Sequence, residues 1–319
     1  MKNFVAGVDI GGTNTVIGIV DIEGNIIAET SFDTKKYPDF KQYIAQLCKV
    51  IKELNFGNDI LGIGIGAPNA NHNKGTIENA ANLIWPGILN VKDEVQKHFP
   101  NKPVILANDA NAAAIGEKVY GNAKFMRDFI MVTLGTGLGA GFVAGGKLVC
   151  GYDSFAGELG HITSYREGRQ CGCGKKGCLE TYVSASGIKR TIFELLADSI
   201  EDSVFRSVTF DELDAKMITE AALNGDPIAL KAYEVSGRIL GEALADTVAI
   251  TSPEAIFLFG GLAKAGELIF NPTHKYMEEN LLKNYKGRIK ILPSALEGKN
   301  TAIIGASALA WEIVGYSNN

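Results

Sequence analysis

The sequence predicts an α/β protein of two lobes, each built on a β-sheet, with a central cleft between them. Three observations carry this. Strand-like runs alternate with helical runs along the chain, as in sheets covered by helices. A unit of strand, glycine-rich turn, strand, turn and strand occurs twice, as "FVAGVDIGGTNTVIGIVDIEGNII" near the start and "FIMVTLGTGLGAGFVAGGKLV" at residues 129–149. The 319 residues also exceed what one compact core usually holds, and no low-complexity linker divides them. The repeated unit suggests a duplicated domain, although two unrelated glycine-rich meanders would share the same look. The expected division is residues 1–112 plus a closing helix at 301–319 in one lobe, and 113–300 in the other.

In order, Phe4–Asp9, Val16–Asp21 and Ile26–Thr30 read as strands, with a hairpin turn at Glu23–Asn25. Tyr43, Ile44, Leu47, Val50, Ile51 and Leu54 recur at helical spacing. Ile60–Pro68 reads as a buried strand, and Pro103–Asp109 as another that runs straight into the helix "ANAAAIGEKVYG". Beyond the second repeat, helices are expected over Ser186–Ala197, Phe210–Asn224 and from Pro227 to about Ile250, with the proline near a helix start. Glu254–Gly261 reads as a strand ending in a glycine pair. A helix near Ala265–Leu282, the strand "RIKILPS" and the helix "TAIIGASALAWEIV" complete the chain.

Hydrophobic residues make up 46% and charged residues 21%, ordinary for a globular enzyme. The net charge of −5 argues against broad nucleic-acid binding, which needs clustered Lys and Arg. It does not exclude a nucleotide, because backbone amides bind phosphates without a basic surface. The start lacks the pattern of a secretory leader, and no apolar run approaches the roughly twenty residues of a membrane span. Five cysteines, an odd number and mostly clustered, fit a reducing cytoplasm.

The turn "DIGGTN", Asp9–Asn14, joins two strands, which excludes the Rossmann and Walker A loops because both lead into a helix. Gly11 and Gly12 let backbone amides approach a phosphate, and Thr13 and Asn14 add side-chain donors. Asp9 suits a Mg²⁺ ion held through water. Gly135, Thr136 and Gly137 offer the same resources in the second repeat, and Gly260 and Gly261 end a later strand. Either turn alone would read as a plain hairpin. Together they point to a nucleotide.

Asn108 and Asp109 stand where a strand meets a helix. One of them caps the helix, or Asp109 faces a cleft as a carboxylate base for a substrate hydroxyl. The helix N-terminus would favour its ionised form. Glu158 and His161, three apart, and Glu180 are polar groups suited to gripping hydroxyls of a ligand; each alone would read as an ordinary exposed polar residue. Cys171, Cys173 and Cys178 lie within eight positions. A Cys-X-Cys disulfide would be strained and leave one cysteine over, while redox sites usually show Cys-X-X-Cys. Zn²⁺ accepts three thiolates and an imidazole, and His161 is the nearest fourth ligand; free structural cysteines are the alternative.

"DIGGTN", "GTGLGAG" and "FGG", in this order, resemble the sugar-kinase, Hsp70 and actin superfamily. The resemblance implies an actin-like ATPase fold with ATP phosphates between two β-hairpins and the late glycines beside the adenosine. Adding "NDANAAA", "GELGH" and "CGCGKKGCLE", the whole chain resembles the ROK family of repressors and sugar kinases. That likeness implies Asp109 as the base that deprotonates the acceptor. It implies Asn82, Asn108, Glu158, His161 and Glu180 as sugar ligands, and His161 with the three cysteines as zinc ligands. It implies an ATP- and Mg²⁺-dependent kinase for the 6-hydroxyl of a free aldohexose, with glucose first. Mannose, fructose, N-acetylmannosamine and N-acetylglucosamine are the alternatives, and a homodimer is implied. The chain departs from the family pattern at Asn69, where many members have glycine, and at "FGG", where three glycines are common. A repressor of the family would carry a helix-turn-helix ahead of the first strand, for which three residues leave no room. An actin- or Hsp70-type ATPase would lack the Glu158, His161 and Glu180 set.

Overall fold

The structure, a computed structural model, describes residues 3–54, 60–298 and 300–315. Strands β1 (Phe4–Ile10), β2 (Asn14–Asp21) and β3 (Ile26–Asp33) form the first meander. Asp21 organises its second turn by accepting from the backbone N–H of Glu23 at 3.1 Å and of Asn25 at 2.8 Å. Helix α1 (Phe40–Leu54) buries Tyr43, Ile44, Leu47, Cys48 and Ile51 on one face. Strand β4 (Ile63–Gly66) is shorter than the run that predicts it.

The chain then forms a small sheet of β5 (Ala70–Asn71), β6 (Thr76–Glu78) and β7 (Ile88–Leu89), followed by helix α2 (Val91–His98). None of these four elements is predicted by the sequence pattern. Strand β8 (Val104–Ala107) leads into α3 (Asp109–Tyr120), and β9 (Phe129–Leu134), β10 (Leu138–Ala144) and β11 (Lys147–Leu148) make the second meander.

Helices α4 (Ala185–Asp198), α5 (Ala215–Leu223) and α6 (Pro227–Thr251), strand β12 (Ala255–Phe259), helix α7 (Glu267–Asn280), strand β13 (Lys290–Pro293) and helix α8 (Thr301–Ile313) follow. The helix expected from Phe210 begins only at Ala215, because Asp214 caps it by accepting from Met217 N at 2.8 Å. Residues 316–319 of the expected closing segment lie outside the described residues.

Among the described residues, the two large sheets run β3-β2-β1-β4-β8 and β11-β10-β9-β12-β13. Each has an antiparallel meander with two parallel strands added beside its first strand. The repeat in the sequence is therefore a repeat of topology. Helix α8 packs on β1 and β4, helix α3 packs on β9 and β10, and the two helices pack on each other. This close layering depends on missing side chains. A methyl at Gly64 would overlap the Ala306 carbonyl, and one at Gly7 would stand 2.5 Å from the Ile303 carbonyl oxygen. Gly305 brings α8 equally near α3, where a methyl would lie 2.8 Å from the Ala112 carbonyl oxygen. Residue 112, the expected lobe boundary, falls inside α3. No helix among the described residues is long and apolar enough to cross a membrane.

Candidate active site

The parallel strands of both sheets end at one cleft, and their carboxyl ends carry the residues singled out by the sequence. Open α/β sheets bind ligands at such ends. Strand register aligns Asp9 with Gly66 on β4, and Gly66 with Ala107 on β8. Asp9 and the Asn108–Asp109 step therefore come to the same level, with a side-chain-free position between them. Past β1 the first turn closes as Gly11 N–H donates to the Asn14 carbonyl at 3.0 Å, leaving Thr13 and Asn14 exposed. The backbone of Asn82 lies against Gly12, where a methyl would overlap its carbonyl oxygen. Asn82 thus reaches the first glycine turn despite its distance in sequence.

Asn108 caps α3, its Oδ1 accepting from Asn111 N at 2.8 Å. The capping role thereby falls to Asn108 and leaves the Asp109 carboxylate free of it. Asp109 opens onto the cleft, yet lies deep enough that burial lifts its carboxyl above the usual range. The N-terminal end of α3 pulls the other way. Asp9 is pushed up to about 6, first by burial and then by the negative charge of Asp109. Two carboxylates share this part of the cleft, and a cation between them would relieve both.

The second turn mirrors the first, with Gly135 N–H donating to the Gly137 carbonyl at 3.0 Å and Thr136 exposed. It is braced by α4. Ala185 N–H donates to the Gly135 carbonyl at 2.9 Å, and Ser186 Oγ donates to the Thr136 carbonyl at 2.9 Å. Gly260, at φ +105°, lies over the end of β9, where any side chain would strike the Leu134 backbone; Gly261 is open. A cavity of about 390 Å³ is lined by Asn108 and Asp109 from one sheet and Gly135, Gly137, Glu180 and Gly260 from the other, while Asp9, Gly11–Asn14 and Asn82 stand outside its lining. Pro68, Thr133 and Phe259 also line the cavity and are missed by the motif reading; so does Asn69, noted in the sequence only as a departure from the family pattern. Their place at strand ends was the available signal.

Glu158, His161 and Glu180 come together beside this cavity. His161 Nε2 is 3.9 Å from Glu158 Oε2, and His161 Nδ1 is 3.7 Å from Glu180 Oε1. Glu180 also lies against the second turn, with its Oε2 3.4 Å from Leu138 N. The cysteine loop closes around the same histidine. Cys171 Sγ is 3.7 Å from His161 Nδ1, Cys173 Sγ is 3.6 Å from Cys178 Sγ, and the four donor atoms all lie within 4.8 Å of one another. A tetrahedral Zn²⁺ site, with Zn–S near 2.3 Å and Zn–N near 2.0 Å, has donor separations of roughly 3.5–3.8 Å. The donor set fits zinc, and the five cysteines form no disulfide. Nδ1 faces the sulfurs, so Nε2 remains on the Glu158 side.

A profile of the ROK family matches residues 5–313. The chain belongs to the ROK family. A glucokinase of Streptomyces coelicolor is 34% identical over 311 residues, 96% of this chain and 97% of that protein. A xylose repressor of Caldicellulosiruptor bescii is 30% identical over 96% of this chain and 77% of its own length. Among solved structures, the ROK family glucokinase from Streptomyces griseus, in complex with glucose and AMPPNP, aligns with a TM-score of 0.78 and 33% identity, covering 97% of this chain and 100% of that one. The fold is the actin-like ATPase fold of ROK sugar kinases.

Proposed function

We propose that this ROK-family chain is an ATP-dependent hexokinase that phosphorylates the 6-hydroxyl of a free aldohexose, glucose first. Full-length likeness to family kinases makes it a sugar kinase. The observation that carries the mechanism is the Asp109 carboxylate, free of capping duty and lining a cavity with the second glycine turn and Glu180. Asp109 takes the proton of the sugar 6-hydroxyl. The freed oxygen bonds to the γ-phosphorus of ATP as the bond to the β-phosphate oxygen breaks and ADP leaves. The Gly11–Asn14 and Gly135–Gly137 turns hold the phosphates, and Asp9 sits where it can hold the waters of the nucleotide's Mg²⁺. Asn82, Asn108, Glu158, His161 and Glu180 grip the sugar hydroxyls.

We assign His161, Cys171, Cys173 and Cys178 to Zn²⁺, which when bound ties the loop bearing Glu180 to the turn bearing Glu158. Its role is structural. A homodimer in a reducing cytoplasm is the setting we expect, and light scattering checks the assembly.

A coupled assay of ADP release with a panel of hexoses and N-acetylhexosamines tests the reading. Turnover that requires a sugar, fastest with glucose, is the expected result. A preference for N-acetylmannosamine would redirect the substrate assignment. Sugar binding without turnover would favour the second reading, a sugar sensor, for which the repressor likeness speaks.

A further inference from the structure

The β5–β6 hairpin and the loop Cys150–Phe155 after β11 belong to opposite sides of the cleft, yet they are bonded to each other. Asn71 Nδ2 donates to the Asp153 carbonyl at 3.0 Å, and Asn73 N–H donates to Ser154 Oγ at 2.9 Å. Asn73 Nδ2 adds two longer contacts, 3.4 Å to the Gly151 and Tyr152 carbonyls. Asn71 is fully buried, and its amide is held on the hairpin side by Glu78 Oε1 at 3.0 Å and by Lys74 N–H, which donates to its Oδ1 at 3.1 Å. Ser154 is buried too and sits at φ +68°, a conformation glycine adopts more cheaply. A serine there sacrifices backbone ease and keeps a hydroxyl acceptor for Asn73.

Each partner leads directly to a segment of the sugar site. The hairpin runs through Glu78 to Asn82, whose backbone abuts Gly12. The loop runs through Gly157 to Glu158 and His161. Neither Asn71 nor Ser154 lines the cavity, so any effect on catalysis must pass through those segments.

We propose that Asn71 and Ser154 are positioning residues, and that the contact they make across the cleft, Asn71 with the Asp153 carbonyl and Ser154 with the Asn73 N–H, sets the gap between the Asn82 segment and the Glu158–His161 segment. The contact thereby governs the fit of the sugar and not that of the nucleotide. This rests on the reading of those segments as the hexose site.

Ser154→Gly is the informative variant, because it removes the acceptor and relieves the backbone at once. The hexose KM should rise about fivefold, the worth of one buried hydrogen bond. The ATP KM and the melting temperature should stay near those of the parent protein. Asn73→Ala keeps the backbone N–H that bonds Ser154 and should change the hexose KM little. An unchanged hexose KM in Ser154→Gly, or equal rises in both KM values, would overturn the proposal. Hydrogen–deuterium exchange supplies a readout independent of turnover. Exchange should quicken in residues 157–162 as well as in 71–74, and stay unchanged in 135–139. Quickening confined to 71–74 would mark the contact as local and defeat the inference. A parent enzyme with no sugar-dependent turnover would instead sink the kinase reading, while exchange would still decide the coupling.

Discussion

Asp9 and Asp109 place two carboxylates in one small volume. In the proposed roles both must be ionised to act, one beside Mg²⁺ and one as base, yet burial lifts both and the charge of Asp109 lifts Asp9 further. Asp109→Asn keeps the size of the side chain and removes only the proton acceptor. Turnover is expected to fall by about 10²–10⁴, the usual worth of general base catalysis, while hexose binding measured by calorimetry changes little. Retained turnover would remove Asp109 from the role. The pH profile follows from the same pair. Asp9 protonates as the pH falls through about 6, so kcat/KM for ATP should decline below that pH, with Mg²⁺ in excess shifting the decline downward. The sign for stability is the reverse of the usual carboxylate case. A carboxyl whose folded pKa is raised favours the folded state when protonated, and that advantage is lost as the pH rises from about 3.8 through about 6. Without nucleotide, Asp9→Asn should therefore melt higher than the parent at pH 8, with the difference vanishing near pH 4. A variant that melts lower at pH 8 would contradict the burial of this charge.

The long strands and helices, both glycine turns and the cysteine loop are legible in sequence because each carries its signal within a few adjacent residues. The small sheet is not. β5, β6 and β7 have two or three residues each, too few for a period, and they are fixed by distant bonds such as Asn79 N–H to the Gly87 carbonyl and Asn69 Nδ2 to Glu78 and Asn79. For the same reason the sequence raises Glu180 as a candidate sugar ligand but cannot reveal that it also lies against the second glycine turn. Where elements meet, single atoms decide. Gly64 faces α8 so closely that a methyl would overlap the Ala306 carbonyl and stand 3.0 Å from Ala310 N, both parts of a helix backbone that cannot swing aside. Gly64→Ala should cost about 1–3 kcal/mol or more in urea unfolding, and an unchanged midpoint would refute the close packing of α8. The cysteine loop offers a second test. Cys173 is exposed, so Cys173→Ser leaves no cavity and alters only the proposed metal site. Bound zinc measured by mass spectrometry should fall, and the hexose affinity with it, while the nucleotide affinity holds. Full hexose affinity in a zinc-free variant would separate the metal from the sugar site.

At the scale of the whole molecule the two sheets pose a problem of water. Asp109 opens onto the cleft, and a base that can activate a hydroxyl can also activate water, which would spend ATP without a product. On the proposed mechanism the chemistry favours the sugar only if the cleft completes its site when the sugar is present, so that the glycine turn of each sheet and the carboxylates on both sides meet around it. The architecture suits such a movement. α3 carries Asp109 at its N-terminus and packs on the second sheet, while α8 packs on the first, so the α3–α8 contact is the surface across which the halves can turn. Xylose is glucose with the C6 hydroxymethyl group replaced by hydrogen, and it can fill the proposed sugar site without offering an acceptor. Two outcomes follow from this account. ATP hydrolysis with no sugar should be slower than glucose phosphorylation by at least about 10³, since orientation of the acceptor supplies much of the rate. Xylose should raise that hydrolysis several-fold by closing the cleft around a water, and Asp109→Asn should abolish the rise. If xylose binds and hydrolysis stays at its basal rate, exclusion of water does not depend on closure, and the site must discriminate by position alone.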